Sequence, residues 1–169
     1  MTTSRIWTSV GSAAGIVVAF ALWEWIGRSL PVDLGAGVAA RLGLACASLP
    51  PAVCVLNLMI LVQMRLRASS GAVDPLAGRD GTLLLVNQRA LTNTVEQMAG
   101  FVPALLALAA GVVSAWMAFV VAAGLVFALA RLIFWGGYLL GPLVRAPGMA
   151  ATFAVNVTTF VAAVWVWWP

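Results

Sequence analysis

Three polar side chains that can bind an anion lie close together in one otherwise apolar segment. Arg89, Asn93 and Glu96 are spaced i, i+4 and i+7, which in a helix places all three on one face. The guanidinium group binds carboxylates through two parallel hydrogen bonds, and an amide side chain pairs with peptide groups. This face of a predicted helix is therefore a candidate binding surface for an anionic ligand.

A second polar set lies near the end of the next apolar segment. Arg131, Tyr138 and Arg145 follow one another at intervals of seven residues. The turn between the two segments is very short, so the segments are predicted to be antiparallel, with the end of the second level with the start of the first. Arg65, at the end of the preceding segment, falls at the same level. Together these residues predict one polar site at one depth.

The cost of burying charge decides how the site is interpreted. A charged side chain at the centre of a membrane helix costs about 2.5–3.5 kcal/mol unless it pairs or reaches water. Glu96 can neutralise either Arg131 or Arg89, and we predict a structural Arg131–Glu96 ion pair. The remaining arginines form a cationic surplus suited to an anion. Arg65 would serve equally as a cytoplasmic anchor, as would Arg67.

Composition identifies the chain as an all-α integral membrane protein. Hydrophobic residues make up 63% of the 169 residues, only 8% are charged, and the mean hydropathy is +1.06. Five apolar segments are long enough to span a bilayer, at about 6–26, 37–66, 82–113, 116–140 and 149–168. Pro50 and Pro51 predict a kink in the second segment, and a polar loop is predicted over 67–81.

The charge distribution predicts the orientation of these spans. All nine basic residues are arginine and the net charge is +4, but the arginines are scattered among apolar runs, which argues against nucleic-acid binding. Six fall on one side, Arg28 and Arg41 fall on the other, and Arg131 lies within a span; the six are Arg5, Arg65, Arg67, Arg79, Arg89 and Arg145. The positive-inside rule then places the N-terminus in the cytoplasm and the C-terminus outside. The first apolar run is longer than the core of a typical signal peptide, so we predict a retained span.

Two further features of the sequence limit the possible metal sites and indicate the source of the protein. The chain has no histidine, and Cys46 and Cys54 lie eight residues apart in one segment, too far for a disulfide within a helix. The common zinc, haem and iron–sulfur ligand sets are absent, so no metal is predicted. Arginine without lysine, and abundant alanine, glycine and valine, are typical of a GC-rich bacterial genome and favour a bacterial inner membrane.

Three motifs in order resemble the MAPEG family, the membrane-associated proteins in eicosanoid and glutathione metabolism. The first is the Arg89-x-x-x-Asn93-x-x-Glu96 signature. The others are Gln63-Met64-Arg65-Leu66-Arg67 followed by Asp74-Pro75, and Ala130-Arg131-Leu132 followed by Gly137-Tyr138 and Arg145-Ala146-Pro147. The resemblance covers about 37–168, and the intervals of seven residues match those of leukotriene C4 synthase-like members.

The resemblance implies a four-helix subunit that forms a homotrimer and binds glutathione between subunits near the cytosolic face. By position, the residues that would hold glutathione are Arg65, Arg89, Asn93, Glu96 and Tyr138. Arg145 would stabilise the glutathione thiolate as the catalytic residue. The subunit would consist of an extra N-terminal helix and loop at 1–34 and a MAPEG-like domain at 35–169, giving five spans.

The departures from the family shape the expected function. Phe134 and Gln97 replace tyrosines of the eicosanoid-making members, and Ala146 offers no hydroxyl beside Arg145. We therefore expect a detoxifying membrane glutathione transferase, such as the microsomal enzymes, acting on lipophilic electrophiles or as a peroxidase on lipid hydroperoxides. The alternatives are a non-enzymatic protein that binds a lipid headgroup or another anion, and a small transporter. A transporter is less favoured because the polar residues crowd one membrane level.

Overall fold

The computed structural model describes residues 2–31, 36–70, 80–141 and 144–169. These residues form six α-helices and no strand. The helices are α1 (Thr2–Ser29), α2 (Val38–Ala47), α3 (Pro50–Ser70), α4 (Thr82–Gly111), α5 (Met117–Leu140) and α6 (Ala146–Trp167). Because α2 and α3 together make one apolar stretch, the described residues contain five stretches long and apolar enough to cross a bilayer. The prediction of an all-α protein with five spans is confirmed.

The break between α2 and α3 explains why one span carries two helix labels. The second span leaves the helix for two residues, Ser48 and Leu49, immediately before Pro50. A proline ring clashes with the preceding turn and supplies no N–H, so the helix has to restart. The Ser48 hydroxyl donates to the Ala45 carbonyl at 2.7 Å and packs against Gly124 of α5. The predicted kink is confirmed, and a close contact with α5 fixes it.

Several predicted helix ends are wrong by about one turn, and α1 runs over Thr2–Ser29 rather than 6–26. The helix α3 continues to Ser70, beyond the predicted end at Leu66, because the polar residues at its end are exposed and can remain helical. The helix α6 begins at Ala146, before the predicted start at Met149, since proline is well tolerated in the first turn of a helix. The rest of the predicted loop, 71–79, lies outside the described residues.

The helix α5 is the centre of the bundle. It packs against all the other helices, and most of its residues are buried. Small residues such as Ala123 and Gly124 let neighbouring backbones approach closely, which is the usual basis of helix packing in membranes. Phe101 of α4 and Phe127 of α5 stack with their ring centroids 4.1 Å apart. The middle of α5 is therefore held firmly against its neighbours.

The N-terminal helix α1 packs on one side of the bundle only. It contacts α5 and α6, and the Trp23 Nε1–H group donates to the Phe119 carbonyl at 2.8 Å. Most of its other side chains are exposed, as expected for a helix that faces lipid. The surfaces of α3 and α4 remain uncovered by α1, and the candidate binding residues of α4 lie on that uncovered side.

Candidate functional site

The predicted ligand face of α4 forms the wall of a surface cleft of about 500 Å³. Arg89 and Glu96 are exposed and Asn93 is half-buried. The complete lining is Asp80, Leu85, Gln88, Arg89, Thr92, Asn93 and Glu96. The structure thus brings the three spaced residues to one open, polar surface, as their spacing predicts. The cation of Arg89 then faces the same space as two carboxylates, Asp80 and Glu96, and two amides, Gln88 and Asn93.

A second cleft adjoins the first and shares Arg89 with it. It also measures about 500 Å³ and is lined by Thr82, Leu83, Val86, Arg89, Tyr138, Leu139, Leu140, Gly141 and Arg145. The Arg145 guanidinium lies over the Tyr138 ring, with Cζ 4.6 Å from the ring centroid. A cation above an aromatic face is attracted by the ring quadrupole, so this contact orients Arg145. Arg89 therefore lines both clefts and is the residue at which they adjoin.

Close backbone packing places Arg145 at the end of α5. A Cβ atom built on Gly137 would lie 2.7 Å from the Arg145 Cα atom, and one built on Gly148 would lie 2.6 Å from the Phe134 Cα atom. Such distances are too short for any side chain, so only glycine permits this approach of α5 and α6. Arg145 itself is the N-cap residue of α6. The helix N-terminus adds positive potential beside the guanidinium.

Arg131 is the most deeply buried charged residue described. Its side chain is 0% exposed; its Nη2 group donates to the Thr94 hydroxyl at 2.6 Å and to Asn93 Oδ1 at 3.2 Å. The Thr94 hydroxyl in turn donates to the Ala90 carbonyl at 2.8 Å, so its lone pairs point to Arg131. The Arg131 Cζ atom also lies 4.1 Å from the centroid of the Phe134 ring.

The predicted Arg131–Glu96 ion pair is not formed within this chain. Among the described residues the salt bridge is between Arg28 and Glu24. Thr94 and Glu96 are two positions apart, or about 200° around a helix of 3.6 residues per turn, so they face nearly opposite directions. Arg131 reaches the buried side of α4, whereas Glu96 is exposed on the other side. The interpretation of Glu96 as a structural partner of Arg131 is therefore wrong for the single chain.

This arrangement changes the role of Asn93. Because Asn93 Oδ1 accepts a hydrogen bond from Arg131, the amide is oriented and its Nδ2 group is left to donate to a ligand. The Arg131 Nε and Nη1 groups are buried and have no hydrogen-bond partner among the described residues. Arg131 thus fixes the orientation of the Asn93 side chain from inside the bundle.

A buried polar network that the sequence analysis missed holds the three helices around the site. Asn87 is 0% exposed, and its Nδ2 group donates to the Met59 carbonyl at 3.0 Å and to Gln63 Oε1 at 2.8 Å. The Trp135 Nε1–H group donates to Asn87 Oδ1 at 2.8 Å. The available signal was the seven-residue interval between Asn87 and Thr94, which marks the buried face of α4.

Phe134 and Gln97, which the resemblance predicts in place of tyrosines, face the interior. Phe134 is 3% exposed, and its ring meets that of Tyr138 edge to face with the centroids 5.3 Å apart. The Asn156 Nδ2 group donates to the Gln97 side-chain and main-chain carbonyls at 2.9 and 3.0 Å. The Phe134 ring therefore packs against Tyr138 on the interior side of the site. Gln97 links α4 to α6 through Asn156.

Two predicted arginines lie away from the clefts. Arg65 is exposed on α3 and lines neither cleft of the single chain. Arg41, predicted as an outer anchor, donates to the Ala109 and Ala110 carbonyls, both at 3.0 Å. These carbonyls are at the C-terminal end of α4, where a cation also interacts well with the helix dipole. Arg79 and the Asp74-Pro75 motif lie outside the described residues.

Comparison with known proteins gives one match. The model of the MAPEG family matches residues 43–165. No curated protein and no solved structure is matched. The matched segment contains every residue assigned to the two clefts and half of α2, and it excludes α1. Because the family match covers well over half of the sequence, the chain belongs to the MAPEG family.

Proposed function

We propose that this protein conjugates the thiolate of glutathione to lipophilic electrophiles that enter from the bilayer. The observation that carries the proposal is that Arg89 lines both clefts, which places the polar face of α4 next to Arg145. Membership of the MAPEG family supports a membrane protein of glutathione or eicosanoid metabolism in general. The chemistry of the cleft residues supports the more specific assignment.

The residues of the first cleft fit the functional groups of glutathione. The tripeptide carries two carboxylates, one ammonium group and two amides. Arg89 suits a carboxylate, Glu96 suits the ammonium group, and the oriented Asn93 amide suits a peptide carbonyl. With this end of the tripeptide in the first cleft, the cysteine thiol extends toward Tyr138 and Arg145 in the second.

Arg145 would supply the activation that the thiol needs. An ordinary cysteine thiol has a pKa of about 8.5 and is mostly protonated at neutral pH, whereas the thiolate is the nucleophile. A guanidinium group beside the sulfur favours the thiolate. Ala146 has no hydroxyl, so Arg145 and the N-terminus of α6 supply this stabilisation without a second donor.

The proposed reaction needs no further component. The thiol releases its proton to water, and the sulfur lone pair attacks an electrophilic carbon to form a C–S bond. The leaving group departs with its electron pair, or an epoxide ring opens to an alkoxide that water protonates. The second cleft is bordered by Leu83, Leu139 and Leu140, which are exposed, so a lipophilic substrate can reach Arg145 from the hydrocarbon region.

We also propose that the working form is a homotrimer with its ligand between copies. Glu96 lies near the middle of α4 and is exposed in the single chain. An uncovered carboxylate at that depth is expensive, and a second copy on the α3–α4 surface would shield it. The same packing would bring Arg65 of α3 toward a neighbouring cleft. We place the N-terminus in the cytoplasm, as the arginine distribution predicts.

The test is the ultraviolet absorbance of the thiolate when glutathione is added to the purified protein at neutral pH. We expect a thiolate signal in the native protein, its loss in Arg145→Ala, and its retention in Arg28→Ala, which removes an exposed arginine paired with Glu24. Turnover of chlorodinitrobenzene should follow the same pattern. No thiolate signal at millimolar glutathione would refute the proposal and would favour a non-enzymatic anion-binding protein.

A further inference from the structure

The helix outside the family match contacts the turn that carries Arg145. Gly15 of α1 is buried, and a Cβ atom built on it would lie 2.6 Å from the Pro147 Cα atom and 2.7 Å from the Pro147 carbonyl carbon. No side chain fits at such a distance. The backbones of α1 and α6 therefore touch at this point, two residues after Arg145.

The same turn is also held by α5. Gly148 packs on the backbone of Phe134, and Gly137 packs on that of Arg145. The first turn of α6 thus contacts both α1 and α5. An apolar cavity of about 170 Å³ lies beside the Gly15 contact, between the same three helices.

We propose that α1 is a positioning element for Arg145 and that it acts through Gly15. The catalytic part of this inference rests on the proposed function, in which Arg145 stabilises the glutathione thiolate. With α5 alone, the turn would lose the backbone contact at Pro147 and the guanidinium would have more freedom. With α1 in place, the turn is held by two helices and Arg145 stays at the edge of its cleft.

The glycines of α1 provide the test and its controls. Since carbon atoms pack at about 3.5–4.0 Å, Gly15→Ala must separate α1 and Pro147 by about 1 Å. Gly11→Ala would place its Cβ atom 3.5 Å from the Pro147 Cγ atom, which is an ordinary contact. Gly27→Ala would meet the Phe119 ring at the far end of α1. All three substitutions add the same methyl group to the same helix.

Two measurements separate the role of α1 from the glutathione chemistry. The first is hydrogen–deuterium exchange of residues 144–149 in the ligand-free protein. The second is the apparent pKa of the bound thiol, followed by thiolate absorbance against pH, together with kcat and KM. We expect Gly15→Ala to increase exchange in this turn and to move the thiol pKa toward that of free glutathione.

The expected loss is in kcat rather than in KM. Because a misplacement of about 1 Å can cost on the order of 100-fold in rate, we expect Gly15→Ala to lower kcat at least tenfold. Gly11→Ala and Gly27→Ala should leave exchange, thiol pKa and kcat unchanged. Wild-type exchange and thiol pKa in Gly15→Ala would overturn the proposal, as would equal changes in Gly27→Ala. If native protein gives no thiolate, the proposed function fails, and the exchange experiment still decides whether α1 holds the turn.

Discussion

Replacing Thr94 by valine tests whether a hydroxyl, and not a carboxylate, holds the buried guanidinium. Valine keeps the shape of threonine and removes the oxygen that lies 2.6 Å from Arg131 Nη2. The remaining bond, to Asn93 at 3.2 Å, is longer. The matched substitution is Glu96→Gln, which removes the charge that an ion pair with Arg131 would need.

The two substitutions have different expected effects on the free energy of unfolding. A hydrogen bond to a charged group contributes about 1.5–3 kcal/mol, and hydrogen bonds between membrane helices reach about 1.7 kcal/mol at most. We therefore expect Thr94→Val to cost about 1.5 kcal/mol. Removing one partner of a buried ion pair would cost about 3–5 kcal/mol. Glu96 is exposed and has no such partner, so we expect Glu96→Gln to stay within about 0.5 kcal/mol.

The measurement is reversible unfolding of the glutathione-free protein in mixed micelles, titrated with a denaturing detergent. The difference between the variants is about tenfold in the unfolding equilibrium constant, well within the precision of such titrations. Glutathione affinity supplies an independent reading, because Glu96→Gln should weaken binding while leaving stability unchanged. A Glu96→Gln protein that is less stable than Thr94→Val would refute the assignment of Arg131 to the hydroxyl.

Two further substitutions test the supports of α4. Asn87→Leu should lower the free energy of unfolding by about 1–3 kcal/mol, because the Trp135 Nε1–H group loses its acceptor. In the double variant, Trp135→Phe should recover part of that loss. If the two losses of free energy simply add, the two residues do not form one network. Arg41→Gln should cost about 0.3–1 kcal/mol, since it leaves two carbonyls at the end of α4 without a cation. An unchanged unfolding midpoint would show that Arg41 does not cap the helix.

Much of the fold follows from hydrophobicity and proline placement. Five apolar stretches long enough to span a bilayer fix the number of spans, and Pro50 fixes the break between α2 and α3. The spacing of Arg89, Asn93 and Glu96 fixes their common face, because helical periodicity is a local property. These predictions needed no knowledge of tertiary contacts.

The partner of Arg131 could not be predicted in the same way. Charge arithmetic favours Glu96, since it is the carboxylate nearest in sequence to the other site residues. The choice depends instead on which side of α4 faces α5, and that is set by the packing of small residues such as Ala90 and Ala130. Hydroxyl partners like Thr94 are common in membrane helices. A threonine in an apolar segment, however, has no sequence feature that identifies it as the partner of an arginine.

The two sides of α4 carry two separable sets of polar contacts. On the buried side, Asn87 and Thr94 join α4 to α3 and α5. On the exposed side, Arg89 and Glu96 face the cleft. Asn93 lies between the two sides and takes part in both sets, because it accepts from buried Arg131 while lining the cleft. Substitutions on the buried side should therefore change stability first and binding only through Asn93. Those on the exposed side should change binding alone.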